Sequence, residues 1–303
     1  MRIATFAGLA LTLALTSAAS AGTIYVVDGY GGGIYDYTTA GAKGTFSTQQ
    51  VGTTVLGAEF NSSGDLFTAS RDSNAIVEYS PSGVASTFAT PTSPYGLAIN
   101  AAGDVFTAVN AFTITEYTPG GAASVFATAA NAVYSLDFNS AGDLFAGEVG
   151  QIVEYAPNGT ATTFATGVGV IFGIAWDASG NLYAASWNSA IYKFTPGGTE
   201  SVFASFSTND LPTGLVYDNS TGDFYMSEVE EGISQPGQQF VAQFTSSGAM
   251  STFASGLYLP YSIADEQTIP SPTPEPGTFV LVGSGIAMIA AGRLRIRSRF
   301  RSR

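Results

Sequence analysis

The chain has 303 residues, 45% hydrophobic and 13% aromatic, with only 11% charged; this is material for one large or two small domains and is too apolar for disorder. It contains no Cys and no His, which excludes disulfides, thiolate chemistry, Cys-ligated zinc and Ser–His hydrolysis. The net charge is −13, and between Arg2 and the six arginines of 293–303 only Lys43, Arg71 and Lys193 accompany the 23 acids, so the chain repels phosphate backbones and nucleic acid is excluded as a partner.

Residues 1–21 read as a secretory signal peptide. Arg2 supplies a positive start, Ile3 to Thr16 form an apolar stretch, and Ala19-Ser20-Ala21 is an A-x-A cleavage site. The mature chain is expected to start at Gly22.

The middle is one unit repeated. Gly-Asp-Leu-Phe at 64–67 recurs as GDVF at 103–106, GDLF at 142–145, GNLY at 180–183 and GDFY at 222–225. A second marker, an aromatic in a Thr-Phe-Ala context, falls at Phe46, Phe88, Phe126, Phe164, Phe203 and Phe253. A period near 40 with four short strands per unit is the signal of a propeller. The first strand of each unit is LGAEF (56–60), GLAIN (96–100), SLDFN (135–139), GIAWD (173–177) or GLVYD (214–218). An Asn/Asp-x-x-Gly-Asp turn follows it, and a Pro-x-Gly turn separates the third and fourth strands; both place Gly where the backbone turns left-handed. Five units run from about 55 to 255, and the sixth is split between Ser262-Ile263-Ala264 and the strands that begin at Ile24. The expectation is an all-β, six-bladed β-propeller over 22–268, closed by N- and C-terminal strands in one shared blade.

Pro94-Tyr-Gly-Leu-Ala-Ile-Asn-Ala-Ala-Gly-Asp-Val-Phe and Ile171-Phe-Gly-Ile-Ala-Trp-Asp-Ala-Ser-Gly-Asn-Leu-Tyr resemble the NHL-type propeller repeat. The resemblance covers residues 23–267 and implies that the first strand of each blade lines the channel. It is specific for fold and not for function, since this fold hosts binding proteins, lactonases and lyases. The units also resemble those of virginiamycin B lyase, whose catalysis depends on a His that this chain lacks.

Loops on one face lead into the first strands and carry Leu56, Tyr95, Tyr134, Phe172, Thr213 and Tyr261. Loops after the second strands add Arg71 and Trp187 to the same face. Tyr95, Tyr134, Phe172, Trp187, Tyr261 and Arg71 form a candidate ligand site, because aromatic faces stack on a sugar or peptide. The same aromatics would equally serve to close the channel mouth. Glu59, Asp137, Glu148 and Glu228 are candidate oxygen ligands for Ca²⁺, as the resemblance to metal-holding propeller lactonases implies. The two first-strand acids, Glu59 and Asp137, are expected at different registers. No other cofactor is expected.

The C-terminus has three parts in fixed order. A Pro-rich linker (269–277) contains Pro274-Glu275-Pro276; an apolar run, Thr278 to Ala291, follows; arginines occupy 293–303. Fourteen helical residues span about 21 Å, short of a hydrocarbon core of about 30 Å. This tail resembles the PEP-CTERM sorting signal of bacterial exported proteins. The resemblance implies a hydrophobic sorting helix over 278–303, recognition by an exosortase-type processing enzyme, and export to the cell envelope or beyond, with initial membrane anchoring by the C-terminal segment.

Together these readings point to an exported, noncatalytic propeller whose channel face binds a glycan, an exopolysaccharide or an envelope protein. The alternatives are a metal-dependent, lactonase-like hydrolase or lyase using channel carboxylates, and a purely structural matrix component. Deletion of Pro274 to Arg303 is expected to release or misplace the protein, as fractionation of the producing cells would show; unchanged placement would sink the sorting expectation.

Overall fold

In a computed structural model the chain is described over residues 22–29, 32–49, 52–207, 210–230 and 239–266. The expected signal peptide (1–21), Pro-rich linker (269–277) and sorting segment (278–303), with Pro274, Glu275 and Pro276, lie outside the described residues. Among the described residues there is no helix.

The strands follow the repeat. The first two are β1 (Thr23–Asp28) and β2 (Gly33–Thr38). The next unit holds β3 (Val55–Phe60), β4 (Leu66–Ser70), β5 (Ala75–Tyr79) and β6 (Ala85–Ala89). After it come β7 (Pro94–Ile99), β8 (Val105–Val109), β9 (Thr113–Tyr117) and β10 (Ala123–Thr128). Then follow β11 (Val133–Phe138), β12 (Leu144–Tyr155), β13 (Ala161–Trp176), β14 (Leu182–Ser186), β15 (Ala190–Phe194) and β16 (Glu200–Ser205). The last are β17 (Asp210–Asp218), β18 (Asp223–Glu230), β19 (Gln239–Phe244), β20 (Met250–Leu257) and β21 (Pro260–Asp265).

The result is an all-β propeller. The expectation of six blades is corrected: the strands hydrogen-bond into five sheets, one of them six-stranded in the order β11-β12-β13-β14-β15-β16. The reason is local. β12 pairs with β11 through Leu144–Glu148 and with β13 through Val149–Tyr155, with Gly150, at φ 81°, taking up a register shift at the start of the second stretch. β13 pairs with β12 up to Val170 and with β14 from Ile171 onward. The connections here are too short to interrupt the ladder. The ends of the propeller do share a sheet: β1 lies between β2 and β21, with Val26 opposite both Tyr35 and Ile263. The seam is held from the side by Asp28, whose carboxylate accepts hydrogen bonds from Tyr258 N (3.0 Å) and Leu259 N (2.8 Å).

The turns behave as their residues require. Asn61 Oδ1 accepts from Ser63 N and Asp65 N, both at 2.9 Å, and Asn61 Nδ2 donates to Asp65 Oδ2 at 3.0 Å. The same network recurs at Asn100/Asp104 and Asn139/Asp143, and with swapped residue types at Asp177/Asn181. The repeated aspartates are therefore turn residues. Packing repeats as faithfully. The marker Phe of each outer segment meets the aromatic of its own second strand: Tyr25/Phe46, Phe67/Phe88, Phe106/Phe126, Phe145/Phe164, Tyr183/Phe203 and Tyr225/Phe253, at 4.6–5.2 Å and steep ring angles. Edge-to-face pairs of this kind contribute about 0.5–1.5 kcal/mol each beyond their buried area. Neighbouring units interlock through pairs such as Phe46/Tyr79 and Phe126/Tyr155.

The inner strands pack side by side around a channel: β21 against β3, β3 against β7, β7 against β11, β11 against β13, β13 against β17, and β17 against β21. Their contact points are Gly57, Gly96, Ser135, Gly173, Gly214 and Ser262, one small residue in each inner strand. A Cβ on Gly57 would stand 2.6 Å from Leu97 N, and one on Gly173 would stand 2.5 Å from Leu215 N. Backbone cannot yield as a side chain can. Gly173→Ala is thus expected to cost about 1–3 kcal/mol and to lower Tm by roughly 2–4 °C per kcal/mol. Gly120→Ala, where the nearest atom is 4.0 Å away, is the control expected to leave Tm unchanged; thermal unfolding of both variants checks this.

Candidate functional site at the mouth and channel

The mouth residues share one structural origin. Each inner strand carries a β-bulge at the residue before its small contact residue. In β3, Val55 pairs with Ser70 and Gly57 with Ala69, so Leu56 is left out of the ladder. The same break exposes Tyr95 in β7, Tyr134 in β11, Phe172 in β13, Thr213 in β17 and Tyr261 in β21. A bulge re-aims its side chain away from the sheet faces. Hydroxyls of the second strands and mouth hold some of these breaks in place: Thr107 Oγ1 donates to Tyr95 O (2.7 Å), and Thr213 Oγ1 donates to Pro260 O (2.6 Å).

Five of the six expected ligand residues come together as a continuous arc. The Arg71 guanidinium lies 5.3 Å from the Tyr95 ring centre. Tyr95 meets Tyr134 edge-on at 5.5 Å, Tyr134 meets Phe172 at 4.6 Å, and Phe172 stacks on Trp187 at 4.5 Å with 12° between planes. Trp187 ends the arc 46% exposed. Tyr261 does not join it. Leu56 on one side and Thr213 on the other separate it from the arc, and its ring packs beside Gly29. Asp72, next to Arg71 in the chain, ties its loop to the segment in front of β3. Burial works against ionisation of Asp72, but hydrogen bonds from Thr53, Thr54 and Ser70 outweigh it and hold that carboxyl at about 2.

The sequence reading missed a second tier. Phe112 (48% exposed) and Val149 (42%) stand in the loops after β8 and within β12, on the same half of the face as Trp187. Asn110 and Ala111 both have positive φ, 50° and 63°, and Phe112 O and Ala111 O accept hydrogen bonds from Ala129 N and Val133 N, each at 2.8 Å. A left-handed alanine is costly, and the turn presents Phe112 to solvent at that cost. The Asn before two small or apolar residues was the available sequence signal.

Below the mouth lies a channel cavity of about 350 Å³. Its lining residues include Leu97, Leu136, Ile174, Leu215 and Ile263, whose side chains are buried in the hydrophobic cores of the propeller. Next come Glu59, Asp137 and Asp265, and the opening toward the turn face carries Asn139, Asp177 and Asn219. Glu59 and Asp137 share one register after all, opposite Phe67 and Phe145 respectively; each lies two residues beyond the small contact residue. Asp265 falls one position later, opposite Ile24, and was not anticipated, although the strand that carries it was.

Both first-strand acids are half-buried, enclosed by the ring and open only to the channel. Burial, and then the charges of Asp137 and Asp265, raise Glu59 well above the ordinary carboxylate range. Burial pushes Asp137 up to about 7 against the pull of Phe138 N, which donates to it at 2.8 Å. Asp265, 8% exposed, is pushed to about 7 by burial and then by Asp218 and Glu266.

The proposed metal set is not assembled. Glu148 is fully buried and accepts from Tyr155 OH (2.9 Å), Gln151 Nε2 (2.7 Å) and Asn131 Nδ2 (3.4 Å); burial, and then this carboxylate, push the Tyr155 phenol up. Glu228 is equally buried on β18 and does not line the channel. Among the described residues no group of three or more acids could hold an ion. The expectation of Ca²⁺ on Glu59, Asp137, Glu148 and Glu228 is corrected: two of the four are enclosed within their sheets, and the other two lie across the channel on strands separated by β7.

No family model and no curated protein matches the sequence. Solved structures do match the fold. A virginiamycin B lyase from Staphylococcus aureus is 16% identical, with TM-score 0.57 over 77% of this chain and 80% of that one. A structure of the nidogen/laminin complex gives TM-score 0.65 at 15% identity over 80% and 97%. A gluconolactonase from Xanthomonas campestris gives 0.55 at 16% over 68% and 76%. The chain therefore has the propeller fold shared by these lyase, lactonase and nidogen structures.

The channel acids set a pH dependence. Their folded pKa values exceed the unfolded ones of about 4, so the folded chain holds protons that the unfolded chain releases. Stability contributed by these groups is complete below about pH 4 and falls as pH rises toward about 7. Asp137→Asn keeps an acceptor for Phe138 N and removes one titration. Calorimetry at about pH 4.5 and 7.5 should show a smaller loss of Tm in the variant than in the parent; equal losses would contradict the burial argument.

Proposed function

We propose that this protein is an exported β-propeller of six repeat units that holds a neutral glycan on the aromatic half of its mouth face. The single observation that carries the reading is the arc from Arg71 through Tyr95, Tyr134 and Phe172 to the exposed Trp187. Flat rings in series match the apolar faces of consecutive sugar residues, and hydroxyl-bearing Tyr95 and Tyr134 supply hydrogen bonds at the edges. Charge narrows the class. An acidic chain with one arginine on this face repels polyuronates and tolerates neutral sugars. Six copies of the edge-to-face aromatic pair support counting six units, with the six-stranded sheet carrying two of them.

The address is part of the proposal. Signal-peptide cleavage after Ala21 and sorting through Pro274-Glu275-Pro276 by an exosortase-type enzyme would place the face at the envelope, where a matrix polysaccharide is the natural ligand. A second reading, acid–base cleavage of the ligand without a metal, is favoured by the raised Glu59 and Asp137 in the channel. It would need different residues from the virginiamycin B lyase, which is described as inactive once a histidine is replaced.

Titration of the full-length chain with neutral β-glucan hexasaccharide, followed by tryptophan fluorescence, should show saturable binding. Trp187→Ala should weaken it about tenfold, the equivalent of one stacking contact, and a uronate hexasaccharide should bind far less. Binding that is indifferent to Trp187 would overturn the proposal. Shortened sugar products in the mixture would favour the second reading.

A further inference from the structure

The closing sheet lacks a cation where the chain enters it. Tyr25 and Val27 of β1 pack toward β3 and β4, whereas Ile24, Val26 and Ile263 pack with Tyr225 and Val241 of the neighbouring sheet. Asp265 lies opposite Ile24 and two residues beyond Ile263, so its side chain takes the same side. There it meets the field of Asp218, the last residue of β17, and of Glu266. Asp265 is 8% exposed, and its Oδ1 is buried with no hydrogen-bond partner, an unfavourable state for a carboxyl oxygen. An oxygen sealed from solvent takes its partner from the chain itself.

The second observation is Gly22, which is buried directly before β1. A Cβ placed on it would stand 2.9 Å from Asp218 Oδ1 and 3.1 Å from Oδ2. The Gly22 nitrogen shares the same Cα, so bond geometry puts it within about 5.4 Å of Asp218 Oδ1. Asp218 opens its turn, as Asn61, Asn100, Asn139 and Asp177 open theirs. Those four are partly exposed, and Asp218 is 1% exposed. Its carboxylate accepts from Ser220 N (2.7 Å) and Thr221 Oγ1 (2.8 Å), and neither donor carries charge. The described cations are engaged elsewhere: Lys43 over Tyr35, Arg71 by Tyr95, and Lys193 by Asp177.

We propose that cleavage after Ala21 builds an internal ion pair: the α-ammonium freed at Gly22 takes Asp218 and Asp265 as partners and ties the closing sheet to the sheet of β17–β20. The proposal rests on the signal-peptide part of the reading above. Hydrolysis adds one water across the Ala21–Gly22 bond. The hydroxyl goes to the Ala21 carbonyl carbon and the hydrogen to the Gly22 nitrogen, which then takes up the proton of the new carboxylic acid. One neutral N–H donor becomes three charged ones, enough for Asp218 and for the orphaned oxygen of Asp265. In the uncut chain burial, then Asp218 and Glu266, push Asp265 up to about 7. An ammonium beside it favours the carboxylate, and the carboxylates in turn favour the ammonium. The remaining titratable groups around the pair are Glu59 on β3, Tyr225 on β18, and Tyr25 on β1, which donates to Glu266. None of them is a cation.

Three chains ending at Arg303 test this: one that begins at Gly22, the same chain acetylated on its α-amino group, and one that begins at Ala21. At about pH 7.5, acetylation and the one-residue extension should each lower Tm by about 4–10 °C. The difference should fade at about pH 3, where the carboxyls take protons, and above about pH 10, where the amine loses its own. The α-amino group of the Gly22 chain, titrated by its rate of acetylation, should ionise above about 9, against an ordinary value of about 7.7–8.0. Asp265→Asn, checked for folding by circular dichroism, should bring that value down and shrink the Tm difference. Trp187→Ala should change neither. Equal Tm for the free and acetylated chains at pH 7.5, an ordinary α-amino pKa, or a Tm difference untouched by Asp265→Asn would each overturn the pairing. Mass spectrometry of the exported protein separates the two readings. A start other than Gly22 would sink the cleavage reading and this proposal with it, whereas a Gly22 start without the Tm difference sinks the pairing alone.

Discussion

The closeness of neighbouring inner strands is the constraint on which the rest depends. At Gly57, Gly96 and Gly173 a methyl group would collide with the backbone of the next strand, and serine takes the same place at 135 and 262. A small residue at every contact draws the strands into a narrow ring. The ring is what gives the chain a channel instead of a stack of sheets. It also brings acids that are far apart in sequence, such as Glu59 and Asp265, into one another's field.

The same tight contact dictates the mouth. Just before each small residue the ladder skips, and the extra residue turns out of the sheet. Whatever occupies that position is presented on one face. In three consecutive strands it is Tyr95, Tyr134 and Phe172; in the others it is Leu56, Thr213 and Tyr261. The propeller is regular, but its face is not. One half is aromatic and extends outward through Trp187, Val149 and Phe112, and the other mixes Leu56, Thr213 and the separate Tyr261. A binding surface thus arises by varying one residue per repeat while the framework stays constant, which is how a single fold serves many ligands.

Charge is divided between the two regions in a similar way. Carboxylates at turns and loops, such as Asp72 and Asp177, sit among donors that favour ionisation and pull them down. Those in the channel have few donors and each other for company, and they are pushed up. The first group fixes loops. The second keeps its protons to higher pH. Both come from an excess of acid, and only the local supply of N–H and O–H groups separates them.

Much of this was legible in the sequence. The repeat period, the strand classes, the Asn-x-x-Gly-Asp turns and the pairing of Ile24 with the strand ending at Asp265 follow from residue patterns, because hydrogen bonding and turn geometry are local and repeat with the chain. The mouth residues could be named from their place in the repeat. Three matters only the tertiary structure decided. That Tyr261 stands apart from the arc depends on which strands are neighbours around the ring. That Glu148 is enclosed with Tyr155 while Glu59 opens to the channel depends on side-chain direction, which strand spacing leaves open. The merging of two units into one six-stranded sheet depends on whether turns at Gly150 and Gly167 interrupt a ladder. Sequence encodes what each residue does to its own backbone; distance across the ring is a property of the closed molecule.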